Sequence, residues 1–241
     1  MLRFFLAICS LAGAMALGQP TSTSNTAHFQ VLPFIFDPGD SDLIPSGWVQ
    51  GTGCPTKQML ATYPATNPNT TYTDPGCPTG DLSDRENEGL ILVKTGPTAN
   101  NAASGAEIRG VEGLVLTELG YDFRRGLHCG AGAPRFNIQT TDGKSYFLGC
   151  SSPPPVATPT PAFPGSAASG WTRLRWGGTG GLMAFNASTR LLETVKAPVR
   201  SLLIVFDEGQ DTGPDFTGIA ILDNIDVNKV LVGQGPRGFI F

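Results

Sequence analysis

Charge is scarce in this chain. Only 15% of its 241 residues are Asp, Glu, Lys or Arg, and the net charge is −4, where ordinary globular domains carry about one quarter charged residues. A surface so poor in cations cannot track a phosphate backbone, which argues against a nucleic-acid partner. Histidine is scarcer still: His28 and His128 are the only two, and the cysteines show no C-x-x-C spacing, so a zinc site lacks its ligand set. No G-x-S-x-G elbow, H-E-x-x-H helix or P-loop occurs, and a serine triad would have to draw on one of those two histidines. Glu86 and Glu88 in "DLSDRENEG" could in principle form a glycosidase acid pair, but they read as solvated loop charges. After the leader, no apolar run approaches the length of a membrane-spanning helix.

What is present points to export. Met1-Leu2-Arg3, the apolar Phe4 to Leu11 and the small residues Ala14-Met15-Ala16 have the three-part layout of a signal peptide over residues 1–18. The mature chain, residues 19–241, is then expected to be a soluble secreted or periplasmic protein with a single domain. Four of the five cysteines remain: Cys54, Cys77, Cys129 and Cys150. An even number in an exported chain reads as two disulfides; three connectivities are open, and Cys54–Cys77 with Cys129–Cys150 is favoured because each pair brackets a local excursion.

Glycine (31 residues), proline (20) and 40% apolar residues suggest many turns around a real core. Short runs such as "GLILVK", "AEIRGV", "RSLLIVF" and "TGIAIL" recur between turn residues, a rhythm that predicts an all-β antiparallel sandwich of jelly-roll type. At most one short helix is expected, over Ser188 to Lys196, where Leu191, Leu192 and Val195 share a helical face. In "PRFNIQTTDGKSYFLGC", Asp142-Gly143 predicts a two-residue type I′ hairpin. That turn pairs Ile138 with Phe147, sends Phe136, Ile138 and Phe147 into the core, and leaves Arg135, Asn137 and Gln139 facing water or a ligand. The proline-rich stretch 153–164 reads as an extended surface connection. The turn-rich stretch 53–84 reads as a disulfide-tied insertion.

With "CGAGAPRFN" and the closing "LDNIDVN" in view, the chain resembles a group of uncharacterised exported bacterial proteins that share both stretches. The likeness spans Gly89 to Gly233 and implies no activity. The closing strand is also similar to that of jelly-roll carbohydrate-binding modules, where a D-[DN]-[IV] unit is frequent. This second likeness implies a fold and leaves function to the site.

Two clusters could bind something. Strict alternation would place Ile219, Ile221, Asp223, Ile225 and Val227 on one core face, and a buried carboxylate there needs backbone donors, an arginine or a metal. A β-bulge at Asp223-Asn224 is the alternative escape. In the metal reading, Asp207, Asp211, Asp215 and Asp223, with Glu208 nearby, supply oxygen donors for a structural calcium ion, although the spacing is not that of an EF-hand. The second cluster is "GWTRLRW": alternation puts Leu174 and Trp176 in the core and Trp171, Arg173 and Arg175 on the other face. That face could stack on and hydrogen-bond a sugar, or its arginines could pair with acids on neighbouring strands. The sequence therefore predicts a secreted, non-catalytic binding or surface-associated module for extracellular or cell-wall glycan. A glycan-active hydrolase is the alternative.

Overall fold

A computed structural model describes residues 29–54, 87–96, 98–99, 101–161, 167–208 and 217–241. Two antiparallel sheets pack face to face as a β-sandwich, as the sequence predicts, and the described residues contain no helix. One sheet runs, in spatial order, β1 (Gln30–Phe36), β4 (Ala103–Arg109), β12 (Val199–Phe206), β6 (Arg135–Thr140), β7 (Ser145–Gly149), β10 (Met183–Asn186) and β11 (Leu192–Thr194). The other runs β15 (Gly238–Ile240), β2 (Ser46–Gln50), β3 (Glu88–Thr95), β13 (Thr217–Val227), β5 (Glu118–Arg124), β9 (Ala167–Gly177) and β8 (Val156–Pro161), with β14 (Val230–Val232) paired to β13.

Period-2 alternation builds the core between the sheets. Phe136 and Ile138 on β6, Tyr146 and Leu148 on β7, and Leu174 and Trp176 on β9 are all buried in one cluster. At its centre Tyr121 lies 5.5 Å from Phe136 and 5.4 Å from Trp176, edge-on to the latter, so the two sheets meet through aromatic rings. Each polar tip finds a carbonyl: Tyr121 Oη donates to Pro134 O (3.1 Å) and Trp176 Nε1 to Pro153 O (2.8 Å). Burial pushes the Tyr121 phenol well above its ordinary range, so it stays a neutral donor. Core aromatics thereby pin two proline-containing loops at one end of the sandwich.

Three expectations need correction. The β6–β7 hairpin closes through three residues, with Thr140 N donating to Lys144 O (3.0 Å) and Gly143 N to Thr140 O (3.0 Å). Only Gly143, at φ 81°, has left-handed backbone in this turn, so it is a type I turn with a glycine bulge instead of type I′. The added residue slips the register by one, pairing Ile138 with Tyr146 and Asn137 with Phe147. Phe147 therefore leaves the core and joins Arg135 and Asn137 on the outer face, where a one-residue slip must send it.

Where a helix is expected from Ser188 to Lys196, the chain instead forms the turn after β10 and then the strand β11. Asn186 Oδ1 accepts from Ser188 N (2.8 Å) and Thr189 N (3.3 Å), and this local bonding competes with a helix. Leu191 and Leu192 are exposed, so the supposed apolar face is not one. The proline-rich stretch is in part a strand: Val156–Pro161 forms β8 at the end of its sheet, where a missing N–H costs least.

On β13 the foreseen alternative to strict alternation is found: Asp223 pairs with Asp122 and Asp226 with Gly120, so that Asn224 and Ile225 together oppose one residue. This is a β-bulge, with Asn224 at φ 46°, a conformation asparagine tolerates. It switches the facing of the strand: Ala220 and Leu222 are core before it, Ile225 and Val227 after it. Ile221 and Asp223 consequently lie on the outer face, and strict alternation fails.

Candidate functional site

The face carrying Trp171, Arg173 and Arg175 is a closed ionic layer. Trp171 is 1% exposed and packs with Cys54 and Ile221. Arg173 forks onto Asp122, directly opposite it on β5, through Nε and Nη2 (both 2.8 Å). Arg175 crosses the middle strand above Gly120, where any Cβ would collide with its side chain, and reaches Asp226 Oδ2 at 2.7 Å. Asp223, opposite Asp122, would repel it, but its oxygens accept from Cys54 N (2.6 Å) and Asn224 N (2.5 Å), while Asn224 Nδ2 donates to Asp122 (2.8 Å). The arginines thus take the cross-strand acids foreseen as one of their two options. Burial works to lower both, yet the Asp122 fork holds Arg173 above its ordinary value, whereas Arg175 stays below.

Asp226 in this layer is pushed up to about 6, by burial first, with Arg175 opposing and a shared hydrogen bond and like charge from Glu118 adding. A carboxyl raised above its unfolded value binds more protons when folded. Its favourable contribution is present at low pH and is lost as pH rises through about 6. Glu118→Gln removes the repulsion and is expected to raise unfolding free energy by about 1 kcal/mol at pH 7.5 while changing little at pH 4. Urea melts of both proteins across that range test it; an equal effect at both ends would contradict the shared-proton arrangement.

The acidic residues have separate partners. Asp207 is gripped by Arg135, with Nη1 on Oδ1 and Nη2 on Oδ2 (2.7 Å), and its carbonyl accepts from Lys94 Nζ (2.7 Å). Asp223 is held by backbone N–H groups as described above. Asp211 and Asp215 lie outside the described residues, and no group of three or more possible ligands is assembled for a metal among the described ones. Glu88 is buried against Arg237 (2.7 Å) and so is not the solvated charge expected, while Glu86 lies outside the described residues. Cys129 and Cys150 form the expected disulfide. Cys54 is also disulfide-bonded, but Cys77, its expected partner, is outside the described residues, as are the leader, residues 1–18, and most of the stretch 53–84.

The open site is on the other sheet. A cleft of about 400 Å³ lies on the outer face of β6, β7 and β10, lined by Arg135, Phe147, Phe185, Asp207, Glu208, Gly149 at the end of β7 and the loop residues Ala131, Gly132 and Ser152. Register explains its floor: Phe147 sits opposite Phe185, and both point away from the core because Tyr146, Leu148 and Ala184 point into it. The Arg135 guanidinium lies 5.6 Å from the Phe147 ring centre. It also donates to Asn137 Oδ1 (2.8 Å) and Gly132 O (2.9 Å), so the Asp207 fork is fixed from three sides.

The wall of the cleft is "CGAGAP" itself. The Cys129–Cys150 disulfide ties it to the end of β7, Ser151 N donates to Gly130 O (3.1 Å), and Gly130 N donates to Ala133 O (2.8 Å). Gly149 is required there, since a Cβ would overlap the Ala131 carbonyl oxygen. The Glu208 carboxylate rests against Gly132 on the rim. Sequence reasoning had Arg135 and Asn137 facing water or ligand, but missed Phe147 and Phe185; the three-residue turn was the signal for Phe147.

The fold and site define a two-sheet β-sandwich with a ligand-sized cleft on one outer face. No protein-family model, curated protein or solved structure matches the chain.

Proposed function

We propose that this is an exported, non-catalytic binding module whose cleft on β6, β7 and β10 takes a saccharide. The observation that carries the reading is the pairing of two outward phenylalanines with a fixed Arg135–Asp207 fork in one cleft of about 400 Å³. Aromatic faces take the C–H surface of a sugar, and a rigid polar fork beside them takes its hydroxyls; small-ligand sites commonly combine an apolar lining with a few placed polar groups. The saccharide thus belongs on this sheet, since Trp171 is buried on the other. Export is supported by the N-terminal leader pattern and by the Cys129–Cys150 disulfide. A hydrolase would need two free carboxylates facing across the ligand, and Asp207 is committed to Arg135.

The experiment is a glycan-array screen followed by titration of the best ligand against Phe147→Ala and Phe185→Ala. Each substitution is expected to weaken binding about tenfold or more, with little change in melting temperature because both rings are on the outer face. Release of shortened products from a retained glycan would favour the hydrolase, and retention of no glycan would remove the saccharide reading.

A further inference from the structure

We infer that the cleft is the closed end of a longer groove, and that its ligand is an internal stretch of a linear glycan laid across the strands toward β11; the inference rests on the saccharide reading above. The register sets Asn137 opposite Phe147, Phe147 opposite Phe185 and Phe185 opposite Leu192, one row over four adjacent strands. Neighbouring strands lie about 4.8 Å apart, so Phe147 to Leu192 covers about 10 Å, more than one sugar ring needs. β11 ends the sheet, and Met183 and Leu192 beside its row are 41% and 44% exposed. Single exposed apolar residues call for no explanation, but Leu192 pairs with Phe185 and Met183 lies two residues from Phe185 on the same face of β10, so both continue the apolar floor of the cleft.

The chemistry along the row is graded. Its walled end has the polar fork and the Glu208 carboxylate, and its open end has apolar side chains beside Thr194, which pairs with Met183. A linear glycan carries both surfaces, C–H faces and hydroxyl edges, along its whole length. It can therefore be gripped at the fork and run out over Phe185 and Leu192. A small terminal sugar would use only the fork and Phe147.

The test is calorimetric titration with cello-oligosaccharides and with N-acetylglucosamine oligosaccharides, each of one to six units, against the wild-type chain and Leu192→Asp. Affinity in the series that binds is expected to rise about tenfold or more from two units to five and then level off. Leu192→Asp should return the longer ligands to the affinity of the short ones and leave the short ones unchanged. Affinity independent of length, or long ligands indifferent to Leu192→Asp while Phe147→Ala abolishes binding, would overturn the groove and leave the saccharide cleft standing. If neither series binds and no glycan is retained on an array, both readings fall; retention of an extended peptide on β11 instead would mark that edge as a protein-docking strand.

Discussion

Asp122→Ala is expected to lower the free energy of unfolding by about 3–5 kcal/mol, the range for removing one partner of a buried ion pair. Asp122 is fully buried and holds three neighbours: Arg173 in a two-point fork, Asn224 through Nδ2 at 2.8 Å, and Arg175 at 3.8 Å. Deleting it takes away the carboxylate that the Arg173 guanidinium, whose side chain is only 14% exposed, grips at two points. The large cost belongs to a buried charge that loses its two-point partner and not to the intrinsic worth of the pair. Asp122→Leu combined with Arg173→Met should therefore recover much of the loss, because an apolar pair of similar volume needs no partner. Urea denaturation of the single and double variants checks this. A single-variant loss below about 1 kcal/mol would mean that water reaches the layer and screens it as it does a surface pair.

This layer shows how far the sequence could be read and where reading stopped. Leu174 and Trp176 were legible as core from the strand period alone, and with them the opposite placement of Arg173 and Arg175. Their partners were not, because Asp122 and Asp226 reach them only through pairing across β5, and pairing is a property of the sheet. Asp223 shows the same limit from another side. A buried carboxylate in an aliphatic strand announced that something had to satisfy it, and the bulge was among the solutions foreseen. The donor from Cys54 lies 169 residues away in sequence, beyond any local pattern.

The cleft was half legible for a related reason. "DG" between apolar runs marked a hairpin, and alternation on β6 placed Arg135 and Asn137 outside and Phe136 and Ile138 inside. One added turn residue then decided the facing of the whole returning strand, exchanging Phe147 for Tyr146 and Leu148 in the core. Phe185 could be placed only once β10 was known to pair with β7. The helical reading of Ser188 to Lys196 hid that pairing, because it took Leu191 and Leu192 as a packed face when they edge a strand.

Removing the Cys129–Cys150 disulfide by a double substitution to serine is expected to cost about 3 kcal/mol in unfolding free energy and, in the protein that remains folded, to weaken the proposed saccharide binding about tenfold. The first effect follows from chain entropy: the cross-link closes 21 residues of the unfolded chain. The second follows from position. The disulfide joins the "CGAGAP" wall to the end of β7, and Ala131 and Gly132 of that wall line the cleft. Arg135 Nη1 also donates to Gly132 O, so displacement of the wall shifts the fork proposed to orient the ligand. Hydrogen bonds from Tyr121 to Pro134, from Trp176 to Pro153 and from Ser151 N to Gly130 O also hold the same loops alongside the disulfide. The first two belong to buried core aromatics and survive loss of the cross-link, which keeps the variant folded at low temperature and allows the two effects to be measured apart. Stability comes from urea titration and affinity from calorimetry at about 10 °C, well below the expected melt. A variant that loses stability but binds as tightly as wild type would show that the core hydrogen bonds alone set the wall, and the disulfide would then act on the unfolded chain and not on the site.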